Sequence, residues 1–81
     1  MINKTEFLEK FRNLFDETEL NEIQLDTKFK ELEEWSSLII LSLIVICEEE
    51  FQSHIKPIEI ENSKYVKDLI VYLEKNQMNN D

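Results

Sequence analysis

Apolar residues recur at helical spacing in three stretches of the sequence. They predict main helices over residues 4–15, 37–51 and 64–75, with Ser63 placed to cap the last of them. A short helix beginning at residue 57 or 58 and ending at residue 61 fits between the second and the last, since proline is tolerated in a first helical turn. Glycine is absent, so few positions favour a left-handed backbone, and the pattern is typical of helices joined by polar connections.

The connection at residues 16–35 shows no clear periodicity. So long a connection fits a compact fold only if apolar side chains hold it against the core. The segment carries five that we expect to do so, namely Leu20, Ile23, Leu25, Phe29 and Leu32. The sequence therefore predicts one all-α domain over residues 1–75, a four-helix bundle of three main helices and a short third helix with a long loop between helices one and two. We expect a disordered polar tail at residues 76–81.

The second helix is apolar on two opposite faces. At about 100° per residue, one arc carries a core stripe of Ile40, Leu43, Ile44, Cys47 and Phe51. The opposite arc carries Leu38, Leu41, Ser42, Val45, Glu48 and Glu49. An ordinary surface helix is polar on that second face. Two interpretations are open: a loop covers the aliphatic side chains, or they form a docking strip for another protein, with an acidic rim that meets Arg or Lys.

The charge balance narrows the choice of partners. The 81 residues include 18 acidic and 9 basic side chains, for a formal net charge of −9. This charge repels phosphate, so we expect neither nucleic acid nor a membrane surface as a partner, and basic patches on other proteins instead. The apolar run at residues 38–47 is shorter than the ~20 residues that span a bilayer, and the first residues do not resemble a signal peptide. We expect a soluble, cytoplasmic monomer.

Catalysis and metal binding find little support in the sequence. The single histidine, His54, lies beyond the far end of the second helix, about 20 Å from Ser37, which disfavours a Ser/His catalytic pair. No His/Cys spacing fits a metal site, and a glycine-rich phosphate loop is impossible without glycine. The single cysteine, Cys47, fits a buried thiol in a reducing compartment. We expect no catalytic residue, no metal site and no enzymatic activity.

Two adjacent serines stand at the start of the second helix. Ser36 suits the N-cap position, where its oxygen accepts a hydrogen bond from an otherwise unpaired backbone N–H. A phosphoester on Ser37 would be stabilised by the partial positive charge of the helix N-terminus. This placement favours a serine that is modified over a serine that acts as a nucleophile.

Several short motifs, taken in order, resemble those of an acyl carrier protein. They are Leu25-Asp26-Thr27, Phe29, Leu32, Trp35-Ser36-Ser37-Leu38, Glu48-Glu49-Glu50-Phe51 and Tyr65-Val66-Lys67-Asp68-Leu69-Ile70, and the similarity covers nearly the whole chain. The resemblance implies a 4′-phosphopantetheine arm on Ser37. A phosphopantetheinyl transferase would install that arm from coenzyme A, and its terminal thiol would hold acyl groups as thioesters.

The resemblance also assigns a partner-binding role to the second helix. The implied contact residues, which would meet basic docking patches on acyl-processing enzymes, are Leu38, Leu41, Val45, Glu48 and Glu49. The chain departs from the family at two positions. The motif is usually Asp-Ser-Leu, whereas here Ser36 precedes Ser37; serine preserves the helix cap but not the charge. Ser42 is neutral where many relatives have an acid.

We therefore expect an acyl carrier protein that presents tethered intermediates to fatty-acid or polyketide enzymes. The large aliphatic content favours such cargo, and the alternative with the same arm is a peptidyl or aminoacyl carrier. An alternative from a different class is an unmodified acidic helical interaction module, which would bind a basic amphipathic helix through Leu38, Leu41 and Val45. The missing aspartate supports that last hypothesis.

Overall fold

The structure, a computed structural model, describes residues 2–77. These residues form four α-helices and two single-turn 3₁₀ helices, with no strand among them. The α-helices are α1 (Lys4–Arg12), α2 (Ser37–Phe51), α3 (Pro57–Asn62) and α4 (Val66–Lys75), and the 3₁₀ helices are Leu20–Glu22 and Phe29–Glu31. The predicted all-α bundle with a short third helix and a long first loop is confirmed.

Two helix boundaries differ by two or more residues from the predicted ones, because local hydrogen bonds redirect the chain. α1 ends at Arg12, since the N–H groups of Leu14 and Phe15 donate to carbonyls three residues earlier and tighten the chain into turns. α4 begins at Val66, because the Asp68 carboxylate accepts from the N–H groups of Lys64 and Tyr65, each at 2.9 Å. Hydrogen bonds from Tyr65 and then Lys64 hold the pKa of Asp68 below its usual value.

Ser63 therefore does not cap α4. It is fully buried at the end of α3, where its hydroxyl donates to the carbonyl of Glu59 at 2.9 Å. Glu59 also stabilises the start of α3, because its carboxylate accepts a hydrogen bond from the Lys56 N–H at 2.9 Å.

A continuous row of aromatic rings runs through the core. Phe51 lies 5.6 Å from Phe7, Phe7 lies 5.9 Å from Phe11, and Phe11 lies 5.8 Å from Phe29, measured between ring centroids. Phe29 in turn meets Trp35 edge-on at 4.9 Å. The row links the C-terminal end of α2, through α1 and the long loop, to the residues that precede α2, so both ends of α2 are held in place.

The buried face of α2 is rotated slightly from the predicted stripe. Leu43, Cys47 and Phe51 are buried as expected, and so is Ile39, which the stripe did not include. Ile40 and Ile44, which the stripe did include, are only half-buried. The core therefore packs against the Ile39 side of the predicted arc. Periodicity alone does not fix the rotation of a helix about its axis that closely.

The long loop is held by four of the five predicted apolar side chains. Ile23 and Phe29 are fully buried and Leu25 and Leu32 are half-buried, whereas Leu20 is 54% exposed, so the expectation for Leu20 is wrong. Backbone hydrogen bonds from the start of α4 to the carbonyls of residues 25 and 27 add to this packing. The Cα radius of gyration, 11.7 Å, equals the ~12 Å expected of a folded chain of this length, so the loop does not expand the fold.

α2 ends without a glycine. Gln52 adopts a left-handed conformation, with φ of 48°, and its N–H donates to the carbonyl of Cys47. This conformation costs a non-glycine residue about 1–2 kcal/mol. The next residue, Ser53, is fully buried and its hydroxyl donates to the carbonyl of Leu73 at 2.6 Å, so the end of α2 is joined to the end of α4. α2 and α4 therefore end close to each other.

The predicted polar tail falls partly outside the described residues. Asn76 donates to the Glu59 carboxylate at 2.8 and 3.0 Å, and Gln77 pairs with Ser53. Residues 78–81 lie beyond the described part of the chain. Within residues 2–77, none of the helices combines the length and the apolar character that crossing a bilayer requires.

We predict that Phe11→Ala lowers the free energy of unfolding by about 3–5 kcal/mol, because Phe11 is fully buried and contacts three other rings. Urea unfolding followed by circular dichroism measures this loss. Val71→Ala is the matched control: Val71 is 62% exposed, and its truncation should change the free energy by less than ~0.5 kcal/mol. Equal effects of the two variants would contradict the role given to the aromatic row.

Candidate functional site

The two serines at the start of α2 occupy different structural positions. Ser36 is the N-cap: its backbone is extended, its carbonyl accepts from Ile40 at 3.0 Å, and its hydroxyl oxygen accepts from the N–H of Ile39 at 3.4 Å. That last contact is long for a hydrogen bond, so the cap is a weak one. Ser37 is the first helical residue and is exposed.

The Ser37 hydroxyl is accessible for covalent modification. Within residues 2–77 it makes no hydrogen bond, and no residue in the first turn of α2 is acidic. Backbone N–H groups at this end of the helix have no intrahelical partner and carry partial positive charge. The position therefore tolerates an anionic group attached to Ser37, and the neutral Ser36 beside it adds no repulsion.

The residues just before the serines are held by contacts with distant parts of the chain. The half-buried Trp35 packs on Phe29, and the Glu34 carboxylate accepts four hydrogen bonds. The donors are the N–H groups of Asp16, Glu17 and Thr18 at 2.7, 3.0 and 2.9 Å, and the Thr18 hydroxyl at 2.8 Å. Glu34 therefore joins the beginning of the long loop to its end, next to Ser37.

The environment of Glu34 favours its charged form. Partial desolvation raises the pKa of Glu34, but the hydrogen bonds from Thr18, Asp16 and Glu17 together outweigh it and hold the pKa below its usual value. Glu34 lies in the connection at residues 16–35, for which the sequence predicted apolar anchors only. Its role was missed because the partners are 16–18 residues away, and no local motif indicates the pairing.

The second face of α2 is exposed except at Ser42, which is half-buried. Leu38, Leu41 and Val45 are 72%, 61% and 51% exposed, so the hypothesis that a loop covers these three side chains is wrong. Glu48 and Glu49 are exposed on the same face, one turn further along. The structure thus brings together the five residues to which the sequence gave a partner-binding role. We call this set of Leu38, Leu41, Val45, Glu48 and Glu49 the α2 strip.

The remaining reactive side chains lie away from Ser37. Cys47 is buried in the core; burial, and then the charge of Glu48, raises the pKa of its thiol to about 12, so the reactive thiolate does not form near neutral pH. His54 lies beyond the other end of α2, where its Nδ1 is 2.6 Å from the Glu48 carboxylate. Among residues 2–77, no group of three or more His, Cys, Asp or Glu side chains is arranged to hold a metal ion.

Two curated relatives are both described as acyl carrier proteins. The chain is 41% identical over 54 residues to the acyl carrier protein of Aster yellows witches'-broom phytoplasma (strain AYWB), and equally to that of Onion yellows phytoplasma (strain OY-M). In each case the aligned part covers 67% of this chain and 71% of the relative. No family model matches the chain.

We predict that Glu34 makes the fold sensitive to acid. Because the pKa of Glu34 is lower in the folded state, its contribution to stability is fully present above the unfolded-state pKa of about 4.3 and is lost as the pH falls through the folded-state pKa. Glu34→Gln should therefore melt at a lower temperature than the parent at pH 7, and the difference should shrink toward pH 3.

Thermal unfolding at the two pH values measures this difference, with Glu33→Gln as the control. Glu33 is an exposed neighbour, and removing its charge should leave the melting temperature nearly unchanged at both pH values. A Glu34→Gln variant that melts like the Glu33→Gln variant at pH 7 would show that the four hydrogen bonds do not stabilise the loop.

Proposed function

The chain belongs to the acyl carrier protein family, and on that basis we propose that it tethers acyl intermediates on a 4′-phosphopantetheine arm attached to Ser37. Acyl carrier proteins are carriers without catalytic activity of their own, so the prediction that the chain is not an enzyme is confirmed. The observation that carries the proposal for Ser37 is its place in the fold: an exposed, unengaged hydroxyl on the first residue of α2.

The residues around Ser37 fit a phosphodiester. The first turn of α2 supplies unpaired N–H groups and the positive end of the helix dipole, in a protein that is otherwise strongly acidic. Once bound, the arm supplies a thiol that carries the acyl group as a thioester. The role of this chain is then to hold the arm at one fixed end of the bundle and to dock, so that the cargo reaches each partner at a high effective concentration.

The α2 strip is the surface we propose for docking. Membership of the family implies interaction with acyl-processing enzymes, and an exposed apolar row with acids beside it complements a basic docking patch. The partners in this proposal are a phosphopantetheinyl transferase and enzymes of fatty-acid or polyketide synthesis in the cytoplasm. A strip of three aliphatic residues and two rim charges gives moderate affinity, which suits a carrier that must leave each enzyme.

One observation favours a second candidate. Ser36 replaces the aspartate that usually precedes the modified serine, and the charge of that aspartate is absent from the start of α2. An unmodified interaction module would need no such charge and would use the same α2 strip to bind a basic amphipathic helix. Direct detection of the arm distinguishes the two candidates.

We predict that incubation with coenzyme A and a broad-specificity phosphopantetheinyl transferase adds the mass of one phosphopantetheine. The addition should disappear in Ser37→Ala and persist in Ser36→Ala, because of these two serines Ser36 uses its hydroxyl oxygen to cap α2 and Ser37 does not. Intact-protein mass spectrometry measures both. Addition to Ser37→Ala would place the arm elsewhere, and no addition with any transferase would favour the unmodified module.

We predict that reversing the two charges of the α2 strip, Glu48→Lys with Glu49→Lys, slows association with the transferase about tenfold at low salt and weakens its salt dependence. Stopped-flow association at several salt concentrations measures the effect. The matched control reverses Glu9 and Glu74, on α1 and α4, and so has the same net charge. Equal slowing in the two double variants would attribute the effect to net charge and not to the α2 strip.

A further inference from the structure

A histidine stands beside the acidic end of α2. His54 lies in the connection between α2 and α3, and its Nδ1 is 2.6 Å from the Glu48 carboxylate. The side chains are 52% exposed for His54 and 46% exposed for Glu48, so the pair lies at the surface. The residues on either side of the histidine, Ser53 and Ile55, are fully buried, and the Ser53 hydroxyl donates to the carbonyl of Leu73. The backbone that carries His54 is therefore anchored in the core.

Only one residue of this sequence is of the type that ordinarily changes charge near neutral pH. Histidine is that type, whereas carboxylates are ordinarily ionised and lysines protonated between about pH 6 and pH 8. The sequence contains a single histidine and a single cysteine, and burial raises the pKa of the Cys47 thiol to about 12. The change in side-chain charge across this range is thus concentrated at one place, next to Glu48.

Glu48 is the carboxylate on which the charge of His54 acts most directly. Across residues 2–77, no other carboxylate lies within 4 Å of the ring nitrogens. Three further carboxylates at this end of the bundle are engaged by other groups, Glu50 by Lys10, Glu59 by Lys56 and Asn76, and Glu74 by Ile2. The remaining charged side chains nearby are all exposed, namely Lys4, Glu6, Glu49, Lys56 and Lys75.

The contact couples the protonation of His54 to the charge at the end of α2. A neutral ring leaves the negative charge of Glu48 in place, whereas an imidazolium ring donates from Nδ1 and offsets that charge at short range. We propose that His54 is a pH-sensitive switch, which lowers the acidity of this end of α2 as the pH falls from 8 to 6 and so weakens the binding of basic partners. The inference rests on the proposed function only for the identity of the natural partners.

The probe is a synthetic helical peptide rich in Arg and Lys, acetylated and amidated at its ends, so that none of its groups titrates between pH 6 and pH 8. At physiological ionic strength we expect it to bind the full chain about threefold more weakly at pH 6 than at pH 8. The difference should shrink at high salt, because the charges of the pair are exposed. His54→Gln should bind the peptide equally at the two pH values. Isothermal titration calorimetry measures these affinities.

The matched control moves the histidine to another part of the surface, by His54→Gln with Asn21→His. Asn21 is exposed in the 3₁₀ helix Leu20–Glu22, next to Ile23, whose carbonyl accepts from Arg12 at the end of α1. Protonation there changes the net charge by the same amount but away from Glu48, so the affinity should change less between pH 8 and pH 6 than in the parent. A change as large as in the parent would attribute the effect to net charge and overturn the switch.

An NMR titration of the free chain tests the contact without a partner. Between pH 8 and pH 6 the side-chain carboxyl signal of Glu48 should move together with the ring signals of His54, and it should stay fixed in His54→Gln. The switch is overturned if the Glu48 signal does not follow the ring, or if the peptide binds the parent equally at the two pH values or not at all.

Neither measurement depends on Ser37, whose modification is detected separately by mass. If no arm is attached while the peptide and NMR results hold, only the proposed function fails. If the arm is attached while the affinity for the peptide does not depend on pH, only the switch fails.

Discussion

Ring contacts that run from Phe51 through Phe7, Phe11 and Phe29 to Trp35 hold α1, the long loop and both ends of α2 together. One set of contacts thus positions three segments that are far apart in sequence. In a chain of this size only a modest fraction of the surface is buried, and large aromatic side chains bury the most area per residue. Ser37 owes its position to that row, because Trp35 is two residues before it.

The same packing explains why α2 is apolar on two faces. One face supplies Ile39, Leu43 and Cys47 to the core, and the other leaves Leu38, Leu41 and Val45 in water. Full burial of one such side chain is worth about 1.5–3 kcal/mol, so the docking that we propose would gain free energy by covering these three. In the docking that we propose, the cost of association offsets much of this free energy and leaves the binding reversible.

The long loop is ordered without any glycine and by contacts of several kinds. Phe29 and Ile23 are buried, Arg12 donates to the carbonyl of Ile23 at 2.8 Å, and Glu34 accepts backbone N–H groups from the other end of the loop. Each contact joins residues separated by more than ten positions. From its composition alone, this polar loop would be expected to be solvated. In the structure, its Glu34 carboxylate and its backbone hold the segment that leads into α2.

Features that arise from neighbouring residues could be predicted without the structure. The bounds of α2, the short α3, the cap at Ser36 and the two-faced character of α2 depend on residues within about four positions of one another, which is the range of helical periodicity and capping. Tertiary structure decided which flank of α2 is buried, with Ile39 inside and Ile40 half-exposed. It also decided the exposure of Leu20 and the hydrogen-bond partners of Glu34. These features depend on which distant segments pack together, and no local pattern records that information.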